Sequence, residues 1–310
     1  MTVNRLTEVE FARFLGCAVH ELSSAGKAAI ALGGFEYEIL QREEREAAFL
    51  RALKVMDSGE LSVSGPEKRS RWEAGWSENL QEFGSTGNLA SLVPRYVKRS
   101  ELLRINGEYV RPHSPDFERN FVDAVHAHLF ERYFADVPEI FEFGCGTGIN
   151  VVTLARQFPS KIIHGLDWAP ASKKILERLS TELGGKIRGH VFDMFQPDPN
   201  LRIPAGSGVF TAGALEQLGE NFSHFLDYLI AMRPSACVHV EPIYEFYDED
   251  TLFDYVAARY MRQRNWLRGF LPRLRELERQ GRARILLQTR TIGTLFHDGF
   301  SLVVWQPSTA

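Results

Sequence analysis

Three glycines at alternate positions, Gly144, Gly146 and Gly148, stand directly after the apolar run ending Phe141-Glu142-Phe143 and directly before a stretch with helical periodicity. With no Cβ in the way, alternate glycines let a main chain turn sharply and come close to whatever lies beside it. A strand, such a turn and a helix together make the opening unit of an α/β sheet. No other stretch of the chain limits its folding options as much.

The pattern continues. From about Phe134 onward, short apolar runs alternate with helical stretches. The runs are Glu139–Phe143, Ile162–Leu166, Ile187–Phe192, Gly208–Ala212, Ala236–Val240, Arg284–Gln288 and Ser301–Trp305. The helical stretches between them are Asn150–Gln157, Ala171–Leu183, Phe222–Met232 and one long insertion, Leu252–Gln280. No helix separates the last two runs, so they are expected to form an antiparallel hairpin at one edge of the sheet. The expectation is an α/β, Rossmann-like, seven-stranded, mostly parallel sheet in a domain over 116–310, with a helical insertion over 248–280.

Residues 1–115 read as a mainly helical region that serves as a lid or an oligomerisation element. Apolar residues recur at intervals of three and four over Glu8–Leu22 and Phe35–Met56, while Asp57–Ser70 carries Gly59, Gly65 and Pro66 and reads as a turn-rich connection. Trp72 and Trp76 follow on a helical stretch, where a pair of indoles serves either as core or as a ligand cover. Asn106-Gly107 between short apolar stretches predicts a small hairpin. It carries Tyr109, Arg111 and His113 towards a pocket rim.

In an open parallel sheet, ligands sit beyond the carboxyl ends of the strands. Asp167 ends the second run, one crossover helix after Gly148, where a carboxylate can accept both hydroxyls of a ribose. A dinucleotide fingerprint needs glycine where this chain has Ile149. Glu142 would repel a pyrophosphate and attract an ammonium, which points to a cofactor carrying an amino-acid moiety, S-adenosylmethionine. Asp193 and Met194 end the third run, placed to meet an adenine amino group and ring, and Trp168 offers a second apolar face.

The run Glu142-Phe143-Gly144-Cys145-Gly146-Thr147-Gly148, with Asp167, Asp193-Met194 and Leu215-Glu216-Gln217, resembles the class I S-adenosylmethionine-dependent methyltransferases over about Phe134–Trp305. A closer similarity is to bacterial sugar or small-molecule O-methyltransferases. The resemblance implies a reversed last strand, a ribose contact from Asp167 and an adenine contact from Asp193 with Met194. It also implies that Glu142, Gly144, Cys145, Gly146, Gly148, Trp168 and Gly213 surround the cofactor. Gln217 stands where the family commonly has histidine.

Methyl transfer from a sulfonium is an in-line displacement that rests on proximity, with a base needed only when the acceptor carries a proton. Candidate bases are Glu216 after the fourth run, Glu241 after the fifth and His297 in the last turn. Trp76, Tyr109, Arg111, His113, Gln217 and Tyr244 are the candidate acceptor contacts. His239, Glu241 and His297 are too scattered in sequence to predict a metal site.

A net charge of -4, from 36 Lys+Arg against 40 Asp+Glu, offers no bulk attraction to nucleic acid. Cys17, Cys145 and Cys237 form no CxxC pair, and no window has the length and apolarity of a membrane span. The expected partner is therefore a small-molecule methyl acceptor, with no nucleic acid and no membrane. The expected setting is the cytoplasm, with room for a homodimer.

Overall fold

The computed structural model describes residues 2–93 and 100–308. Its centre is a seven-stranded sheet in the order β10-β11-β9-β8-β5-β6-β7. These strands are β5 (Glu139–Phe143), β6 (Ile162–Asp167), β7 (Ile187–Val191), β8 (Gly208–Ala212), β9 (Ala236–Val240), β10 (Ala283–Thr289) and β11 (Leu302–Pro307). β5 pairs in parallel with both β6 and β8, and β8 with β9. β11 runs antiparallel between β9 and β10, so the expected hairpin is present with its second strand inserted inward. The chain leaves β5 towards β6 and β7, then returns to place β8 on the other side of β5. That reversal opens a crevice at the carboxyl ends of β5 and β8.

Both sheet faces are covered, which is why the central strands read as nearly continuous apolar runs. On one face α5 (Phe117–Phe134), α6 (Ile149–Gln157) and α7 (Pro170–Glu182) bury Phe121, Leu129, Val151 and Leu176 against Ile140, Ile163 and Phe210. On the other, α8 (Ser223–Met232) and α10 (Phe270–Arg279) bury Phe225, Leu229, Leu271 and Leu274 against Phe141, Phe143 and Val303. Each such side chain contributes roughly 1.5–3 kcal/mol of burial energy. Cutting back any of them to alanine would thus remove a sizeable share of the net stability.

The amino-terminal region departs from the helical expectation. It holds α1 (Glu8–Phe14), α2 (Ser24–Leu32), α3 (Arg42–Asp57) and α4 (Arg69–Thr86). It also holds a small antiparallel sheet, β1-β2-β4-β3, made of Val3–Arg5, Glu36–Ile39, Glu108–Pro112 and Leu103–Ile105. The expected helix from Phe35 therefore starts only at Arg42, because Glu36–Ile39 alternates with period two and pairs on both sides. The Asn106-Gly107 turn forms as expected, both residues having positive φ, 54° and 83°. The insertion is two helices: α9 (Leu252–Arg264) ends at Asn265, which adopts the left-handed conformation (φ 52°), and α10 begins after Gly269.

A buried ion network joins the two regions. Arg104, fully buried on β3, reaches Asp298 (3.3 Å) and Asp254 (3.5 Å), and its backbone pairs with Gly293. Arg290 meets Asp254 at 2.6 Å and Asp298 at 2.8 Å, so two cations are balanced by two anions. Among the described residues no helix is long and apolar enough to cross a membrane.

Candidate functional site

The glycine turn leaves β5 and is held by the next strand: Gly144 and Cys145 N–H both donate to Leu166 O, at 2.7 Å and 3.1 Å. Gly146 N–H donates to Asp167 Oδ2 (2.9 Å), and Ala169 N–H to Asp167 Oδ1 (2.9 Å). Asp167 thus ties the turn to the strand beside it while retaining free lone pairs on each oxygen. Burial pushes its carboxyl up to about 6 despite these donors. Gly144 and Gly146 have φ of +70° and +53°. A Cβ at Gly144 would lie 2.3 Å from that of Ala214, and one at Gly146 would lie 3.0 Å from the Trp76 ring. The glycines therefore make room for neighbouring protein as well as for any ligand.

Glu142, second from the end of β5, is 1% exposed at the centre of the sheet. Its Oε1 accepts from Asn150 Nδ2 at 2.8 Å, while its Oε2 is buried with no protein partner. Burial, with a further push from the Asp167 charge, raises the carboxyl to about 8, even though the Asn150 donor pulls the other way. An orphaned buried carboxylate oxygen is uncommon and calls for a partner.

These groups line one cleft, which encloses about 790 Å³ of empty space when its open mouth is counted. Of the candidate cofactor residues, Glu142, Gly144, Cys145, Gly146, Asp167, Trp168, Met194 and Gly213 line it. Gly148 and Asp193 do not. Gly148 instead caps α6, and Asp193 pairs with Arg69 and accepts from Phe195 N–H (2.9 Å). Trp168 stacks on Phe195 at 5.8 Å, leaving a flat apolar wall. The Cys145 thiol is pushed well up by burial and stays neutral.

The roof comes from α4. Trp72 and Trp76, four residues apart and so on one helix face, stack at 5.3 Å and line the cleft. Glu73 Oε2 accepts from Ala171 N–H (3.1 Å) at the start of α7, and Arg69 pairs with Asp193, so the roof is fastened on two sides. Thr147 Oγ1 donates to Leu92 O at 2.6 Å, a third tie.

Most candidate acceptor and base residues lie elsewhere. Tyr109 is buried core, its hydroxyl donating to Leu295 O (3.0 Å). Arg111 pairs with Glu44 (2.9 Å) and His113 with Glu38 (3.5 Å) on the outside of the small sheet. Tyr244 is bound by Glu249 and Arg262. His297 packs on Trp266 and Tyr260, with its Nδ1 buried and unpartnered, and burial drives it down to about 3. His239 lies within the sheet: Trp305 Nε1–H donates to its Nε2 (2.9 Å), which puts its own proton on Nδ1, facing Thr211.

Glu241 is fully buried and accepts from the N–H groups of Ala214, Leu215 and Glu216, which makes it the clamp of the turn after β8. Glu216 sits behind the wall, raised by burial and by the Glu241 charge. Gln217 does line the cleft. Trp72, read beside Trp76 as core or ligand cover but not counted among the acceptor contacts, does line the cleft. Asn150 was missed as a site residue in the sequence, since nothing local marks it as the partner of Glu142. Among the described residues no group of three or more metal-ligating side chains occurs.

No family model matches the chain, and no curated protein does. Among solved structures, the [4+2]-cyclase SpnF is similar at 12% identity and a TM-score of 0.50, over 81% of this chain and 99% of that one. The S-adenosylmethionine-dependent methyltransferase SibL shares 18% identity over 99% of this chain and 90% of its own, with a TM-score of 0.42. The O-methyltransferase NcsB1 from neocarzinostatin biosynthesis, solved with S-adenosylmethionine and 2-hydroxy-5-methyl naphthoic acid, shares 17% over 98% and 90%, with a TM-score of 0.41. At such identities the likeness speaks for the fold alone. With its strand order, its reversed β11 and its glycine turn, the chain has the Rossmann-like fold of the class I methyltransferases.

Proposed function

We propose that the chain is an S-adenosylmethionine-dependent methyltransferase that methylates a small-molecule acceptor, with a hydroxyl oxygen of a sugar or specialised metabolite as the nucleophile. One observation carries this reading: the buried, unpartnered Oε2 of Glu142 at the floor of a glycine-lined cleft. An ammonium would satisfy that oxygen, and a pyrophosphate would be repelled by it. Asp167, with free lone pairs beside the Gly146 turn, suits a ribose, and the Trp168 and Met194 walls suit a purine.

S-adenosylmethionine, when bound, supplies an already activated methyl group and leaves as a neutral thioether. The protein's share is then to hold and to dry the site. Glu142 and Asp167 hold the two polar ends of the nucleoside, Trp72 and Trp76 exclude water from above, and Glu241 fixes the turn that carries Gln217. The candidate bases Glu216, Glu241 and His297 do not line the cleft, which favours an acceptor acidic enough to enter it already ionised.

A second reading, a nucleoside-binding protein performing other chemistry, draws on the likeness to SpnF, described as a cyclase. Methylation of nitrogen or carbon is a variant of the first reading. A nicotinamide enzyme is disfavoured by Ile149 and Glu142. Calorimetric titration tests the cofactor: S-adenosylhomocysteine should saturate the site while NAD does not, and the reverse outcome refutes the proposal. Incubation of a cell extract with methyl-labelled S-adenosylmethionine and the protein should then yield a labelled small molecule by mass spectrometry. Tight binding with no labelled product would favour the second reading.

A further inference from the structure

Gln217 is the polar side chain of the wall after β8, and its orientation is dictated from behind. Trp266 Nε1–H, a donor with no accepting capacity, gives its hydrogen to Ser64 Oγ at 3.0 Å. Ser64 in turn donates to Gln217 Oε1 at 2.9 Å, and Gln217 Nε2 donates to Glu216 Oε1 at 2.9 Å. Ser64 is itself held by backbone bonds, its N–H donating to Arg264 O (2.8 Å) and its carbonyl accepting from Asn265 Nδ2 (3.1 Å). The amide therefore cannot flip without breaking the chain of donors. Its second Nε2–H has no protein acceptor among the described residues.

Gln217 shares the cleft lining with the apolar Ala212, Leu218 and Ile149, and the stacked indoles of Trp72 and Trp76 line the same cleft. With Glu142 and Asp167 given to the nucleoside cofactor, a polyol placed there would bury several hydroxyls against few remaining polar partners, the spare amide hydrogens of Gln217 and Asn150, at a cost for each unpaired group. A flat ring would instead match the indole faces. On the reading that the cleft holds an S-adenosyl nucleoside, we propose that Gln217 recognises the methyl acceptor, donating its remaining amide hydrogen to a neutral carbonyl oxygen on a planar aromatic molecule packed under Trp72 and Trp76. Ser64 and Glu216 are positioning residues that fix the amide. This narrows the acceptor from sugars to aromatic metabolites.

The test uses the full chain saturated with S-adenosylhomocysteine and follows tryptophan fluorescence on adding para-hydroxyacetophenone, para-ethylphenol or methyl glucoside. Wild type should bind the ketone about tenfold more tightly than the ethylphenol, the size of one good hydrogen bond, and should bind the glucoside weakest. Gln217→Leu should erase the preference for the ketone, and Gln217→Glu, which keeps the shape and loses the donor, should do the same. Ser64→Ala should shrink it. Affinity for S-adenosylhomocysteine, measured separately by calorimetry, should be unchanged in all three, an outcome that a merely structural role would not give. An unchanged ketone preference in the Gln217 variants overturns the proposal, as does tighter binding of methyl glucoside or binding of neither arene by the nucleoside complex. Failure of wild type to bind S-adenosylhomocysteine at all sinks the cofactor reading first and the acceptor reading with it.

Discussion

Glu142→Gln should make the protein more stable near neutral pH and disable the proposed cofactor site. In the folded chain the Glu142 carboxyl is raised from 4.5 to about 8, chiefly by burial. A group whose folded value is raised contributes stability that is complete below its unfolded value and is lost as pH rises through the folded one. Each pH unit between 4.5 and about 8 therefore removes up to about 1.4 kcal/mol, so that roughly 3 kcal/mol is gone at neutral pH. Glutamine keeps the Asn150 contact through its carbonyl oxygen and never ionises, so it should avoid that loss.

Binding runs the other way. An ammonium needs the ionised carboxylate, and at pH 7, one unit below the folded value, only about a tenth of the protein has it. Affinity for S-adenosylhomocysteine should thus rise about fivefold from pH 7 to pH 8 and about tenfold in all before it levels off near pH 9, with close to one proton released on binding at pH 7. Thermal melts at pH 5 and pH 8, with titration calorimetry in two buffers of different ionisation enthalpy, measure both halves. Two results would refute the reasoning: a glutamine variant that melts no higher than wild type at pH 8, or a wild-type affinity flat between pH 6.5 and pH 8.

Gly146→Val should cost about 1–3 kcal/mol, since it combines a φ of +53° with a Cβ 3.0 Å from the Trp76 ring; urea melts and quenching of tryptophan emission would show both the loss and the displaced roof. His126, buried between Phe130 and Phe210 and held down at about 4, must charge as pH falls, so its contribution is complete above 6.5 and is lost towards 4; His126→Phe should lessen the fall in stability from pH 7 to pH 5, and an equal fall in both proteins would contradict this. Asp298→Ala leaves buried Arg104 with Asp254, at 3.5 Å, as its remaining carboxylate partner among the described residues and should cost about 3–5 kcal/mol by chemical denaturation, whereas a cost below about 1 kcal/mol would mean the network is solvated.

Much of the large sheet was legible because its strands are buried on both faces and bounded by polar turns. β5, β8 and β9 fall on the expected runs for that reason, and the turn at Gly144 and the acid at Asp167 mark strand ends that periodicity alone can find. The small sheet was not legible. Glu36–Ile39 is short and half exposed, and it runs on into the helical spacing of α3, so local pattern favoured a continuous helix. The acceptor side was read from residue chemistry, and there tertiary partners decide. Arg111 and His113 had the right groups, but Glu44 and Glu38 claim them; Glu241 had the right strand end, but three backbone donors claim it. Trp76 and Gln217 reach the cleft because the long-range ties of α4 and Ser64 bring them there.

The charge-balanced network around Arg104 bears on how this molecule could be taken apart. Cut the chain between the two sequence regions, and each fragment inherits stranded charges: one keeps Arg104, the other keeps Asp254, Asp298 and Arg290 with one positive charge too few. Neither fragment can dry its own surface there, so roof and floor are expected to melt in a single transition. A cleft roof that cannot be lost without losing the sheet beneath it is inherited with that sheet as one unit.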